Sequence, residues 1–341
     1  MTFPENKLTL SGDVETRAGF IVCFGIGWSD TEAMSIPFIC LEQPEGYWSY
    51  EEEVAIIEKL MQLFTHPNIE WIFQNGLYDY QYFAANWGFI PRIGMDTMLA
   101  QHTCFAGLPK GLDFLSSLYC EYHRYWKDEG KEFHSNIKTK DEETKYWVYN
   151  CKDCVATFEA ARTLDKTIDA LNLREPYQFQ MSQFMPVLRM MLRGVRIDQE
   201  QKNALASKLF DAMYERETWM YEVLGKVLNP RSPKQMQEFF YGDLGLPVQK
   251  NRKTGKPTVD DDALQTLAKK EPLVRPVAEI IAEYRSIGVF LSTFVKAELS
   301  ADGRARSSYN IAGAETYRWS SSKDAFGQGL NLQNLSKGTE K

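Results

Sequence analysis

Two acids spaced one residue apart, Asp13 and Glu15, lie in the segment Leu10–Thr16 just ahead of the apolar run Phe20–Gly27. Side chains alternate faces along a strand, so both carboxylates would leave the same side of a first strand, with residues 20–27 as the returning strand of a hairpin. A second β-like run, Ile69–Phe73, precedes Asn75 and Asp79. Four-residue spacing would stand these two one helical turn apart. Tyr149 and Asp153 repeat that spacing on a stretch with Val155, Phe158, Ala161 and Leu164 apolar at steps of three and four, the pattern of a buried helix face. The first part of the chain thus alternates strand and helix patterns, as in an α/β domain, whereas the second is nearly all helical.

Four carboxylates from three distant segments suit metal-assisted phosphodiester hydrolysis. Two hard cations roughly 4 Å apart stabilise the attacking and the leaving oxygen of such a displacement. Magnesium takes one or two carboxylates per ion plus waters, so four acids match two Mg2+ or Mn2+ ions. Tyr149, with an ordinary pKa of about 10, suits the orientation of a water better than removal of its proton.

The order and local sequence of these motifs resemble the proofreading 3′-5′ exonuclease domain of family A DNA polymerases. Gly94–Ala100 and Lys110–Leu115 resemble the segments between that family's second and third motifs. The resemblance implies an α/β, ribonuclease H-like (DnaQ-like) domain around a central mixed sheet, followed by a mainly helical thumb region. It places Asp13, Glu15, Asp79 and Asp153 on the metal ligands and Tyr149 on the water-positioning tyrosine. Asn75 falls on the polar residue of the second motif, and Thr16 on a position near the bound 3′ terminus.

Downstream, Met191–Asp198 resembles the hinge into a polymerase thumb, and Ser232–Met236 with Lys253–Lys256 its tip. Thr316–Ser322 and Asn331–Asn334 resemble the first palm motif, with Tyr317 where the family has glycine before Arg318. The implied organisation is an exonuclease domain at 1–180, a thumb region at 181–300 and the start of a palm at 301–341. Arg318, Gln333 and Asn334 are then expected to contact DNA. The chain ends at Lys341, before the palm and fingers would supply nucleotide-binding groups. The expectation is an enzyme that trims single-stranded 3′ ends, holds primer-template duplex and does not polymerise alone. The alternative is an inactive DNA-binding scaffold that docks a separate palm and fingers chain.

Composition fits that expectation. With 341 residues, 44% hydrophobic, the chain can bury two cores. There is no run of eighteen apolar residues and no basic-then-apolar leader, so no membrane partner is expected. Six cysteines without paired dense spacing fit a reducing cytoplasm. The net charge of −7 is unevenly divided: residues 1–180 carry −12 and residues 181–341 carry +5. Within the basic half, Lys250, Arg252, Lys253 and Lys256 crowd one loop, where they are expected to meet DNA phosphates without reading sequence.

In that half, Asp198 is expected to cap a helix running to about Val227, Ser232 to cap one with Pro233 in its first turn, and Thr258 with Asp261 to start another. A further helix is expected over about 273–299. Other features have plainer readings. Gly25-Ile-Gly27 leads into Trp28 rather than a helix and is not a dinucleotide fingerprint. Cys151-x-x-Cys154 has a zinc-like spacing but straddles Asp153 on the helix of the third motif, and His102-x-Cys104 and Cys120-x-x-His123 match no common structural zinc site. The stripe Phe179, Met181, Phe184, Met185, Leu188 and Met191 reads as packing, Asp96 and Asp113 as cap and turn residues, and Lys127–Lys145 as a charged loop.

Overall fold

The computed structural model describes residues 7–43, 46–121, 126–128 and 137–335. Its centre is a five-stranded mixed sheet. The strands are β1 (Leu8–Arg17), β2 (Phe20–Gly27), β3 (Ala33–Pro37), β4 (Ile69–Phe73) and β5 (Met95–Asp96), in the spatial order β3-β2-β1-β4-β5. β1 to β3 pair antiparallel; β4 joins β1, and β5 joins β4, in parallel. The expected hairpin forms with Asp13 opposite Gly25 and Glu15 opposite Cys23, and its register shifts between Glu15 and Thr16. Such a bulge bends and twists the strand locally.

Among the described residues, α1 (Tyr50–Thr65) lies between β3 and β4 and α2 (Leu77–Tyr82) between β4 and β5, while α3 (Thr97–Cys104) and α4 (Leu112–Tyr119) follow β5. α1 starts with a capping box between Ser49 and Glu52. On one side of the sheet, Phe24, Phe64, Trp71, Phe73 and Phe83 form a buried aromatic cluster, with Phe64 and Trp71 ring centroids 4.4 Å apart. Phe24 and Phe83 meet edge-on at 5.6 Å, an arrangement aromatic rings favour.

The long helix α5 (Lys140–Ala170) packs on β1, β2 and β3. Its start is a capping box of Thr139 and Glu142, so Lys140–Lys145 is helical and not a loop. Residues 129–136 of that charged stretch lie outside the described residues. Ala156, Ala160 and Ala161 lie on its buried face, small enough to let helix and neighbours approach. α6 (Arg174–Arg193) follows, burying Phe184, Val187, Leu188 and Met191 in the same core, while Phe179 is exposed.

Two compact units result. One comprises residues 1–194 and 306–341, the other Val195–Ala305. The divisions expected at 180 and 300 are displaced because α6 continues past 180 with apolar residues that belong to the first core. The chain also returns to that core, where Ile311 and Ala312 are buried. The returning segment is tied down by Ser308 Oγ donating to Gln81 Oε1 at 3.0 Å, by Trp319 Nε1 donating to Gln183 Oε1 at 2.8 Å and by Tyr82 packing on Phe326.

The second unit is helical except for the short pair β6 (Val195–Arg196) and β7 (Arg304–Ala305). α7 (Gln199–Leu224) is capped by Asp198 and ends at Gly225, whose positive φ of 66° is the usual helix stop. α8 (Pro233–Gln237) is capped by Ser232. α9 (Asp261–Lys270) is capped by Asp260 rather than Thr258: Asp260 accepts from Ala263 N, and the Thr258 hydroxyl donates to that same carboxylate. α10 (Arg275–Phe290) packs against α7 and α9 and is shorter than expected, since a wider helical turn takes over at Leu291–Val295. Lys250, Arg252, Lys253 and Lys256 are exposed on a loop closed by a Lys250–Pro257 bridge and organised by Asn251, which accepts from the Lys253 and Thr254 amides. No helix among the described residues is long and apolar enough to cross a membrane.

Candidate active site

The site forms where β1, α2 and α5 meet, within the first unit. Carboxylate oxygens of Asp13, Glu15 and Asp153 all lie within 4.8 Å of one another. Period two along β1 brings the first pair together, as the sequence requires. The third acid arrives because α5 lies directly on the hairpin. A β-carbon added at Gly25 would sit 2.5 Å from Cys154 Sγ, and one at Gly27 would sit 2.5 Å from Ser11 Oγ. The Gly25-Ile-Gly27 pair therefore serves close helix-to-sheet packing. Ser11 Oγ secures the contact by donating to the Cys154 carbonyl at 2.7 Å.

Asp79 stands beside this trio rather than inside it. It is buried in the first turn of α2, and its Oδ1 accepts from the Val14 amide at 3.1 Å, between the two acids of β1. Asn75 is not one helical turn below Asp79: it precedes α2 with a left-handed φ of 59°. Asp96 shapes that corner, accepting from Gly76 N at 2.8 Å and from Leu99 N at 3.0 Å, which makes it the cap of α3. Thr16 hydrogen-bonds the Tyr78 hydroxyl at 2.7 Å near the site's exposed rim.

Several contacts were not legible in the acid motifs. Tyr146 Oη donates to Glu15 Oε2 at 3.0 Å, and Asn150 Nδ2 donates to Asp13 Oδ2 at 2.8 Å. Asn150 is itself held by Ser35 Oγ at 2.8 Å. Residues 146, 149, 150 and 153 lie at steps of three and four on one face of α5, a signal the helix pattern contained. Trp126 Nε1 donates to Asp153 Oδ1 at 2.6 Å, and Lys127 Nζ contacts Asp153 Oδ2 at 2.5 Å and Tyr149 Oη at 3.0 Å. No motif pointed to these two; they reach the site from a separate segment.

Burial and crowding of negative charge set the electrostatics. The Asp13 carboxyl is pushed up to about 8, first by burial and then by Asp153, against the opposing pull of Lys127 and Asn150. Burial, then Asp13 and Asp153, hold Glu15 well above the ordinary range, partly offset by the Tyr146 hydroxyl. Burial and Asp13 likewise raise Asp79, against the Val14 amide. The Tyr149 phenol is raised by burial and by Asp153, so it stays protonated at neutral pH. Three closely spaced carboxylates, all hard oxygen donors, fit a divalent cation, which would relieve the repulsion that raises their affinity for protons.

Among the remaining expected residues, Arg318, Gln333 and Asn334 are exposed on the returning segment, and Gln333 Nε2 donates to the Trp319 carbonyl at 3.1 Å. Tyr317 holds a left-handed φ of 61°, and its ring lies 4.5 Å from that of His102. Cys151 and Cys154 carry free thiols, and His123 lies outside the described residues.

Comparison with known proteins agrees with this architecture. Residues 5–169 match a family model described as 3′-5′ exonuclease, and residues 199–341 match one described as DNA polymerase family A. DNA polymerase I of Synechocystis sp. is 28% identical over 345 residues, covering 98% of this chain and 33% of that protein. DNA polymerase I of Bacillus subtilis is 32% identical over 146 residues, covering 42% of this chain and 15% of the relative. The chain thus spans a third or less of the length of these relatives. The fold matches a solved structure of the polymerase domain of Pol1 from M. smegmatis, in complex with DNA primer-template and dNTP. The TM-score is 0.68 at 21% identity, over 99% of this chain and 54% of that one. The chain therefore belongs to DNA polymerase family A, and its first part is a 3′-5′ exonuclease domain of that family.

Proposed function

We propose that the chain hydrolyses the 3′-terminal phosphodiester of DNA with two divalent cations, Mg2+ or Mn2+, as the proofreading part of a family A polymerase. The observation that carries this reading is the meeting of Asp13, Glu15 and Asp153 carboxylates within 4.8 Å, inside a domain of the 3′-5′ exonuclease family. Asp13, Glu15 and Asp153, with Asp79 beside them, would hold the ions. When bound, these activate a water and stabilise charge on the phosphate.

The chain's own groups then have separable tasks. Asn150 and Tyr146 orient the carboxylates of Asp13 and Glu15. Tyr149 keeps its proton and aims a water as a hydrogen-bonding group. Asn75 and Thr16 flank the entry of a single-stranded 3′ end. Preference for mispaired ends follows from their lower cost of unpairing. The exposed cations Lys250, Arg252, Lys253 and Lys256 hold primer-template phosphates as part of a thumb, and Arg318, Gln333 and Asn334 add contacts to the duplex. Palm and fingers, on the same or another chain, are the remaining partner.

The deciding experiment is release of nucleotides from a mispaired, labelled primer by this chain and by Asp13→Ala, with Mg2+, Mn2+ or chelator. Metal-dependent 3′ trimming that disappears in the variant is expected. An inactive parent chain that still binds the primer would leave DNA binding and remove the nuclease.

A further inference from the structure

Asp153 is engaged at both oxygens by neighbours that are not acids. Trp126 Nε1 donates to Oδ1 at 2.6 Å, and the Lys127 ammonium lies 2.5 Å from Oδ2. The same ammonium donates to Tyr149 Oη at 3.0 Å and lies 5.0 Å from the centre of that ring. The Lys127 side chain is 24% exposed and that of Asp153 only 6%, so the pair is screened far less than a surface salt bridge.

We propose that Lys127 competes with a divalent cation for Asp153 and so sets the metal affinity of the acidic cluster. This rests on the metal-dependent reading above and extends it to a residue outside the acids. A cation approaching Asp153 Oδ2 meets the Lys127 ammonium already at that oxygen, so binding there requires the ammonium to withdraw. Lysine suits that exchange: its charge sits on a flexible four-carbon stem, and the partly exposed end can return to water. Trp126 keeps the carboxylate oriented while the exchange occurs, because its indole N–H holds the other oxygen. Lys127 is thus a positioning residue that also links loading at Asp153 to the placement of Tyr149, since withdrawal frees the tyrosine hydroxyl from one of its contacts.

The test is Mn2+ binding to the full chain, followed by the electron paramagnetic resonance signal of free Mn2+, for the parent and for Lys127→Met, Lys127→Gln, Lys127→Arg and Asp13→Ala. Circular dichroism checks folding, and the glutamine variant serves should the methionine variant not fold. The neutral variants are expected to bind Mn2+ about tenfold more tightly, opposite in sign to the loss that removing a partner that merely orients a metal ligand would give. Arginine, which keeps the charge, is expected to stay near the parent. Equal or weaker binding by the neutral variants, with parent binding still lost in Asp13→Ala, would overturn the competition and leave the metal site standing. Absence of Mn2+ binding in every chain would overturn both.

Discussion

Gly25 and Cys154 face each other so closely that a β-carbon at position 25 would lie 2.5 Å from the Cys154 sulfur. The same β-carbon would lie 2.6 Å from Asn150 Oδ1. Because Asn150 holds Asp13 and Asp153 adjoins Cys154, this contact fixes the distance between the acids of the sheet and the acid of the helix. Gly25→Ala is expected to push α5 away, destabilising the fold by about 1–3 kcal/mol, the usual scale for overpacking. Chemical denaturation would measure this, and weaker Mn2+ binding should accompany it.

Protonation of the cluster gives a pH dependence with a definite sign. Asp13 titrates near 3.8 when free and near 8 in the folded chain, so between those values the folded state binds more protons than the unfolded state. Stability from this group is complete below the lower value and lost as pH rises through the upper one. Without metal, the melting temperature is expected to fall from pH 5 to pH 8.5. Added Mg2+ or Mn2+ should restore it most at the alkaline end. A melting temperature in chelator that rises over this range would contradict the buried, crowded arrangement.

Tyr149→Phe removes the hydroxyl while keeping the ring. If its role is to aim a water, kcat for 3′ nucleotide release should drop on the order of 10²-fold with little change in KM for DNA. Single-turnover kinetics would check this; a pure KM effect would instead make Tyr149 a binding group.

Tyr317 occupies a left-handed backbone position and packs on His102. Ala at 317 would lose the ring contact and keep the strain, whereas Gly would lose the contact but relieve the strain. The glycine variant is therefore expected to be more stable than the alanine variant by about 1 kcal/mol. Thermal unfolding of the two resolves it; equal stabilities would show that the backbone relaxes around alanine.

The Asn251 loop gives a salt-dependent expectation. Lys253→Ala should weaken duplex binding similarly for all sequences and lower the salt slope by about one. Binding titrations at several salt concentrations would measure it, and an unchanged slope would mean that Lys253 stays clear of the phosphates.

The sequence by itself determined the first hairpin and the two acids on one side of it, because strand alternation is local. It likewise determined the caps at Asp198 and Ser232, where a single side chain satisfies amides within three residues. The joining of β1 with α5 required the tertiary structure, since a chain separation of about 140 residues leaves no periodic trace. Only packing showed that Gly25 and Gly27 clear the way for Asp153, that Asp79 is held by the Val14 amide beside the trio, and that Asn75 lies outside its helix. Trp126 and Lys127 were hidden for the same reason: their spacing to the acids carries no pattern, and their role comes from where the folded chain delivers one indole and one ammonium.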